Sequence, residues 1–168
     1  MAFLIEDGSL VDGANSFVTV AEVRSYATDR ASDLAAFADA DIESAAIKGA
    51  DYIKSLRDRF KGSEIIAEQS LPFPRADLVV NGFLLDDDSI PAGVKDANCQ
   101  LAIESVNGTD LQPTSTGQIV TKEKVGPLET TYAANSAPDG TNLFSAASAL
   151  LGPYMTGGAA GSLSSLRI

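Results

Sequence analysis

Apolar positions in the first half of the chain recur at helical spacing. Counting from Ile42, the residues Ala45, Ala46, Gly49, Ile53 and Leu56 follow at offsets of three, four, seven, eleven and fourteen, which puts them on one face of a helix beginning near Asp41. Glycine inside such a stripe costs about 1 kcal/mol against alanine, so a second helix is expected to cross closely at Gly49. A shorter helix, from about Val20 to Asp29, turns Val23, Tyr26 and Ala27 inward, with Thr19 and Glu22 forming a capping box at its start. Before it, Ser16 to Val20 alternates with β-branched and aromatic residues and reads as a short strand. A third helix carries Val94, Ala97, Leu101, Ala102, Ile103 and Val106, with Pro91 suited to its first turn and Asn107-Gly108 at its end. A fourth is expected from a cap at Thr141, with Leu143, Ala147, Leu150, Leu151 and Tyr154 on one side, and Pro153 stops it soon after Leu151.

Between the helices the pattern changes to short apolar runs around turn residues. Leu78-Val79-Val80 and Phe83-Leu84-Leu85 flank Asn81-Gly82, the strongest short-range signal for a two-residue hairpin, because both turn positions need positive φ. Ile119 to Val125 and Leu128 to Ala133 read as two strands about Gly126-Pro127. In the run Gln69-Ser70-Leu71-Pro72-Phe73-Pro74-Arg75, two prolines hold φ near about −65° and push their predecessors out of the helical region. Leu71 to Arg75 is therefore a stiff, extended strap, which either connects helices with its aromatic ring plugging the core or presents Phe73 and Arg75 in a set geometry.

These elements make a mainly α fold, a small helical bundle of about four helices with β-hairpin insertions and an extended C-terminal tail. One domain is expected over residues 1–152, with hairpins near 78–85 and 119–133, followed by a tail over 153–168. Residues 155 to 165 are mostly glycine, serine and alanine, a composition that tethers but cannot build a core. Leu163, Leu166, Arg167 and Ile168 then return apolar side chains and one cation, either as a frayed end or as an anchor that docks into a neighbour.

Composition removes several kinds of chemistry. The 168 residues contain no histidine, which excludes imidazole-activated nucleophiles and imidazole metal sites, and the single cysteine, Cys99, has no disulfide partner. No apolar run approaches the roughly 18 residues of a membrane span, and Glu6 and Asp7 interrupt the N-terminal one, so neither a span nor a secretory signal is expected. Asp86, Asp87 and Asp88 form a tight acidic run, either a cation-binding loop or a solvated lead into the third helix, and calcium-loop spacing with its glycine bend is missing. Twelve Lys and Arg against 23 Asp and Glu give a formal charge of −11, which opposes phosphate binding by the chain as a whole. Half of the bases, Lys48, Lys54, Arg57, Arg59, Lys61 and Arg75, cluster in one region, interleaved with Asp51, Asp58, Glu64 and Glu68. That region is either a mixed-charge solvated or subunit-contact face or a phosphate site beside Tyr52, Phe60 and Phe73.

Several motifs, in order, resemble a known family. Glu6-Asp7-Gly8, Gly13 to Glu22, Ala50-Asp51-Tyr52-Ile53, Arg59-Phe60 with Gly62, Gln69 and Pro72-Phe73-Pro74-Arg75, Ile90-Pro91 with Val94 and Ala97, and Glu123 to Leu128 with Tyr132 are similar to the head-to-tail adaptor (connector, head-completion) proteins of tailed bacteriophages. The likeness covers nearly the whole chain, with Phe73 where that family usually has tryptophan. Sequences of this kind also carry the label DnaT-like single-stranded-DNA-binding protein, which is a separate hypothesis.

The resemblance implies a non-catalytic virion protein without cofactor or metal, made in the host cytoplasm and built into the neck of the particle. Such adaptors form a ring, commonly of twelve copies, between the portal protein and the stopper or tail-completion protein, and double-stranded DNA passes through without specific binding or any membrane contact. It makes Leu163, Leu166, Arg167 and Ile168 the portal-docking candidates. Ile119, Thr121, Glu123, Thr130 and Tyr132 become candidates for contacts between copies, with Gln69, Pro72, Phe73, Pro74 and Arg75 as a structural strap. The alternative is a single-stranded-DNA-binding module of a phage replication system, which would need stacking aromatics beside a basic groove.

Overall fold

The computed structural model describes residues 2–112 and 144–156, and the backbone of 122–125 and 128–131. Four helices, α1 (Val20–Asp29), α2 (Asp39–Ser55), α3 (Ala92–Val106) and α4 (Ser145–Leu151), are joined through three antiparallel two-stranded ribbons. The ribbons are β1–β2 (Ser63–Glu64 with Arg75–Ala76), β3–β4 (Val79–Val80 with Phe83–Leu84) and β5–β6 (Lys122–Val125 with Leu128–Thr131). This is the mainly helical bundle with hairpin insertions that the periodicity predicts. α2 and α3 form its central pair, and α1 and α4 pack against α3.

The central crossing is built around Gly49. A Cβ there would lie 2.6 Å from Asn98 Nδ2 and 3.1 Å from Leu101 Cβ, so α3 approaches as closely as glycine alone permits. Asn98 is fully buried and ties three segments together: its Nδ2 donates to Ala46 O at 2.9 Å, and its Oδ1 accepts from Phe17 N at 3.0 Å and from Ser16 Oγ at 3.3 Å. Alanine at position 49 gains helix propensity but must push this amide out of place. The overpacking outweighs the gain in propensity, and Gly49→Ala is expected to lower stability by about 1–3 kcal/mol, read as a drop in urea midpoint at unchanged slope. A midpoint that rose would show that the helices part without cost.

The segment before α1 departs from the expected strand. Ser16 makes one parallel bridge, to Ile5, because the backbone amides that follow are spent locally: Ser16 Oγ accepts from Val18 N at 3.1 Å and Asn98 takes that of Phe17. What organises this end is Glu6, 2% exposed, whose Oε1 accepts the amides of Gly8 and Leu10 at 2.9 and 3.0 Å and whose Oε2 accepts that of Val11 at 3.0 Å. At α1 the capping box is complete, with Glu22 N donating to Thr19 Oγ1 at 3.2 Å and Thr19 N to Glu22 Oε2 at 2.7 Å.

Other boundaries shift for local reasons. α2 begins at Asp39, two residues before the expected start, since Asp41 is its third residue and its carboxylate accepts Ala38 N at 3.3 Å. Leu56, expected on the α2 stripe, lies just past the helix and is partly buried. Pro91 sits at the N-cap of α3 instead of inside its first turn. Phe144, with no side-chain cap, precedes α4, while Thr141 and Leu143 lie outside the described residues. The packed chain also runs past residue 152. Gly152–Tyr154 form a 3-10 turn, Tyr154 O accepts Lys61 N at 2.8 Å, Met155 bridges Phe60, and Thr156 N donates to Arg59 O at 2.7 Å. These contacts carry the domain through Thr156.

Candidate functional site

The proline strap is an interior device. Its Phe73-Pro74 peptide is cis, which turns the chain where an extended run was expected, and Phe73 is fully buried. Three rings meet Phe73 edge to face, Phe60 at 4.8 Å and Phe17 and Tyr154 at 6.3 Å between centroids. Gln69 beneath it is also buried: its Nε2 donates to Leu71 O at 2.8 Å and Pro74 O at 3.0 Å, and its Oε1 accepts Ile65 N at 3.0 Å. Arg75, 7% exposed, donates from Nε to Lys61 O at 2.7 Å, from Nη1 to Pro72 O at 3.2 Å and from Nη2 to Gly62 O at 3.1 Å. Burial lowers the hold of this guanidinium on its proton, and the Glu64 carboxylate works the other way. Pro72 and Pro74 are buried with it, so all five strap residues serve the fold.

The aromatic and basic cluster is divided in the same manner. Phe60 and Phe73 are core, and Tyr52 packs edge to face on Phe144 at 5.2 Å, so the three rings proposed as stacking platforms are turned inward or covered. Arg57 donates from Nη2 to Gln69 O at 2.8 Å, and its Nε lies 3.1 Å from Glu64 Oε1, an ion pair whose alignment is not that of a hydrogen bond. Lys61 Nζ donates to Pro153 O at 2.8 Å. Lys48, Lys54 and Arg59 are exposed. Half of the clustered cations, Arg57, Lys61 and Arg75, are thus spent on backbone carbonyls.

Cys99 faces the inside of α3, and burial pushes its thiol up to about 12, with Asp96 and Glu22 adding to the rise. A neutral, buried thiol does not attack disulfides. In the native protein at pH 8, Cys99 is expected to stay unmodified by a thiol-specific disulfide reagent and to react fully in urea, a difference read by absorbance. Prompt native reaction would place the thiol at the surface.

Elsewhere side chains turn outward. The β3–β4 hairpin has the expected Asn81-Gly82 turn, with φ of 52° and 85°, and exposes Val79, Phe83 and Leu84. Ile65 and Ile66 are exposed on the loop between β1 and β2. Asp86, Asp87 and Asp88 lie in the exposed connection to α3, and among the described residues no group of three acidic or thiol side chains converges as a metal site would. Among the described residues no helix is long and apolar enough to cross a membrane. A groove of about 390 Å³ between α1 and α3 is lined by Glu22, Asp29, Arg30, Lys95 and Asp96, three acids and two bases, with Arg30 lying over the Tyr26 ring.

Of the candidates for contacts between copies, Glu123 and Thr130 are directly opposed in the β5–β6 register, and Ile119, Thr121 and Tyr132 lie outside the described residues. So do Leu163, Leu166, Arg167 and Ile168. Two of the buried polar residues, Glu6 and Asn98, were given no structural role by sequence reasoning. Asn98 had a signal, because it stands four residues after Val94 and three before Leu101 on the buried face of α3.

A family model described as "Putative DnaT-like ssDNA binding protein" matches residues 1–168. No curated protein and no solved structure matches the chain.

Proposed function

Because the chain belongs to this DnaT-like family, matched along its whole length, we propose a role within that family as mechanical joinery: a head-to-tail adaptor that binds other proteins and lets nucleic acid pass. The observation that carries the reading is where the shared motif residues go. Glu6, Ser16, Phe17, Gln69, Phe73 and Arg75, by which the chain resembles phage adaptors, are all buried and build the domain, so the likeness is one of architecture. Surface chemistry supports the same side. With a formal charge of −11, the molecule repels a polyanion, and its exposed apolar groups, Phe83, Leu84, Ile65 and Ile66, suit protein contacts. In this reading the role is structural, without cofactor, in a ring at the neck of the virion between portal and stopper proteins. Leu163, Leu166, Arg167 and Ile168 engage the portal.

The second reading, single-stranded-DNA binding, is the one that the family's description favours. It requires bases to stack on exposed rings beside cations. Phe83 is such a ring, 76% exposed, but its neighbours in the chain are Asp77, Asp86, Asp87 and Asp88. One pair of measurements separates the two. Fluorescence anisotropy with a labelled oligothymidine, from low to physiological salt, is expected to show no submicromolar binding. Co-sedimentation with portal particles of the encoding phage is expected to retain the full chain and to lose a form ending at Thr156. Tight, salt-dependent oligothymidine binding with no portal retention would decide for the second reading, and equal retention of the shortened form would remove the C-terminal anchor alone.

A further inference from the structure

Hairpin β3–β4, a ribbon two residues long, projects three apolar side chains into solvent: Val79 at 47% and Leu84 at 66% exposure are opposed in the register and share one face, and Phe83 at 76% is opposed to Val80 on the other. A ribbon that short gains little from its own hydrogen bonds, so a face of this kind is stabilised when something covers it. We propose that it is the docking site of the C-terminal segment of the same chain, with Leu163, Leu166 and Ile168 seated on the face of Val79 and Leu84 and Arg167 toward the acids that flank the hairpin in sequence. Such a seat is open to the chain whether it is an adaptor or a DNA-binding module.

Three observations choose this occupant. The first is where the described chain stops. The 3-10 turn at Gly152–Tyr154 lies against β3, and Thr156 is pinned to Arg59 O by its amide at 2.7 Å and its hydroxyl at 2.9 Å, so the described chain stops two residues after a turn that touches the hairpin. The second is reach. Six small residues, Gly157 to Ser162, separate that point from Leu163, and a Gly-rich chain of six has a root-mean-square span of about 13 Å. A strand advances ~3.4 Å per residue, so this two-residue ribbon is only about 7 Å long and lies within that span, and a segment so tethered is present at an effective concentration on the order of millimolar. The third is charge. Between Ala76 and Val94 the chain has four acids, Asp77, Asp86, Asp87 and Asp88, and no base, while Arg167 is the single base after Lys124. An apolar segment with one cation matches an apolar face flanked along the chain by carboxylates. A portal or other partner that takes the same segment would have to compete with this seat, and its departure would bare the hairpin at the moment of assembly.

The test uses the full chain with Ser164→Cys carrying a nitroxide label; Cys99, being buried, stays unlabelled. Amide peaks of Val79, Val80, Phe83 and Leu84 are expected to lose intensity while those of Ile42 to Ile53 in α2 keep theirs. The loss should survive dilution of the isotope- and spin-labelled protein into an excess of plain protein, and should be relieved by Leu166→Asp with Ile168→Asp. Unaffected hairpin peaks would overturn the proposal. So would a loss that vanishes on dilution, since the segment would then sit on a second copy, and so would a loss that persists in the double variant, which reports tether length without a seat.

Discussion

Phe73→Ala is expected to lower stability by about 3–5 kcal/mol, the range for emptying a buried aromatic site, which is a large part of the 5–15 kcal/mol typical of a whole domain. The side chain is fully buried and meets Phe17, Phe60 and Tyr154, which come from the N-terminal segment, the turn after α2 and the turn after α4. Alanine would leave a cavity at the junction of three segments far apart in sequence. Relaxation cannot close it cheaply, because Gln69 and Arg75 hold the strap to its own carbonyls on both sides. Phe83→Ala is the matched control. Its ring is 76% exposed, so its removal is expected to change stability by less than about 0.5 kcal/mol. Urea unfolding of both variants checks the pair, and a Phe73→Ala midpoint close to that of Phe83→Ala would mean that the ring cluster contributes little.

How far the fold could be read in advance depended on the range of the interactions involved. α1 was legible to the residue, since Thr19, Glu22 and the stripe of Val23, Tyr26 and Ala27 act within a few positions of one another. The hairpin followed from Asn81-Gly82 for the same reason, and the close crossing at Gly49 followed because glycine is costly in a helix unless contact requires it. What stayed hidden needed long-range knowledge. Asn98 is polar and on composition belongs at a surface; only its partners Phe17, more than eighty positions away, and Ala46, more than fifty away, explain its burial. Glu6 resembles any acid near an N-terminus until three amides turn back upon it. In the basic cluster, Arg57, Lys61 and Arg75 are held by carbonyl groups that no periodicity reveals.

Arg75 gives the second large effect and separates two explanations of it. Arg75→Met keeps most of the buried stem and removes the charged fork, leaving the carbonyls of Lys61, Gly62 and Pro72 without their donor. The expected cost is about 3–5 kcal/mol, as for losing one member of a buried, hydrogen-bonded charge network. Glu64 is the competing explanation, because its carboxylate faces both Arg57 and Arg75. Its distance to Arg75 is 3.9 Å, against 3.1 Å to Arg57, and its side chain is 20% exposed, so the ion pair with Arg75 is the weaker contact. Glu64→Gln should therefore cost no more than about 1 kcal/mol, and the coupling between the two substitutions in a double-mutant cycle should stay below about 1 kcal/mol. A coupling near the full Arg75→Met effect would assign the stabilisation to the ion pair and not to the three carbonyls. Small coupling beside a large single effect would identify Arg75 as a clamp on backbone, locking the loop from Lys61 to Arg75 by neutral acceptors that screening by salt leaves largely untouched.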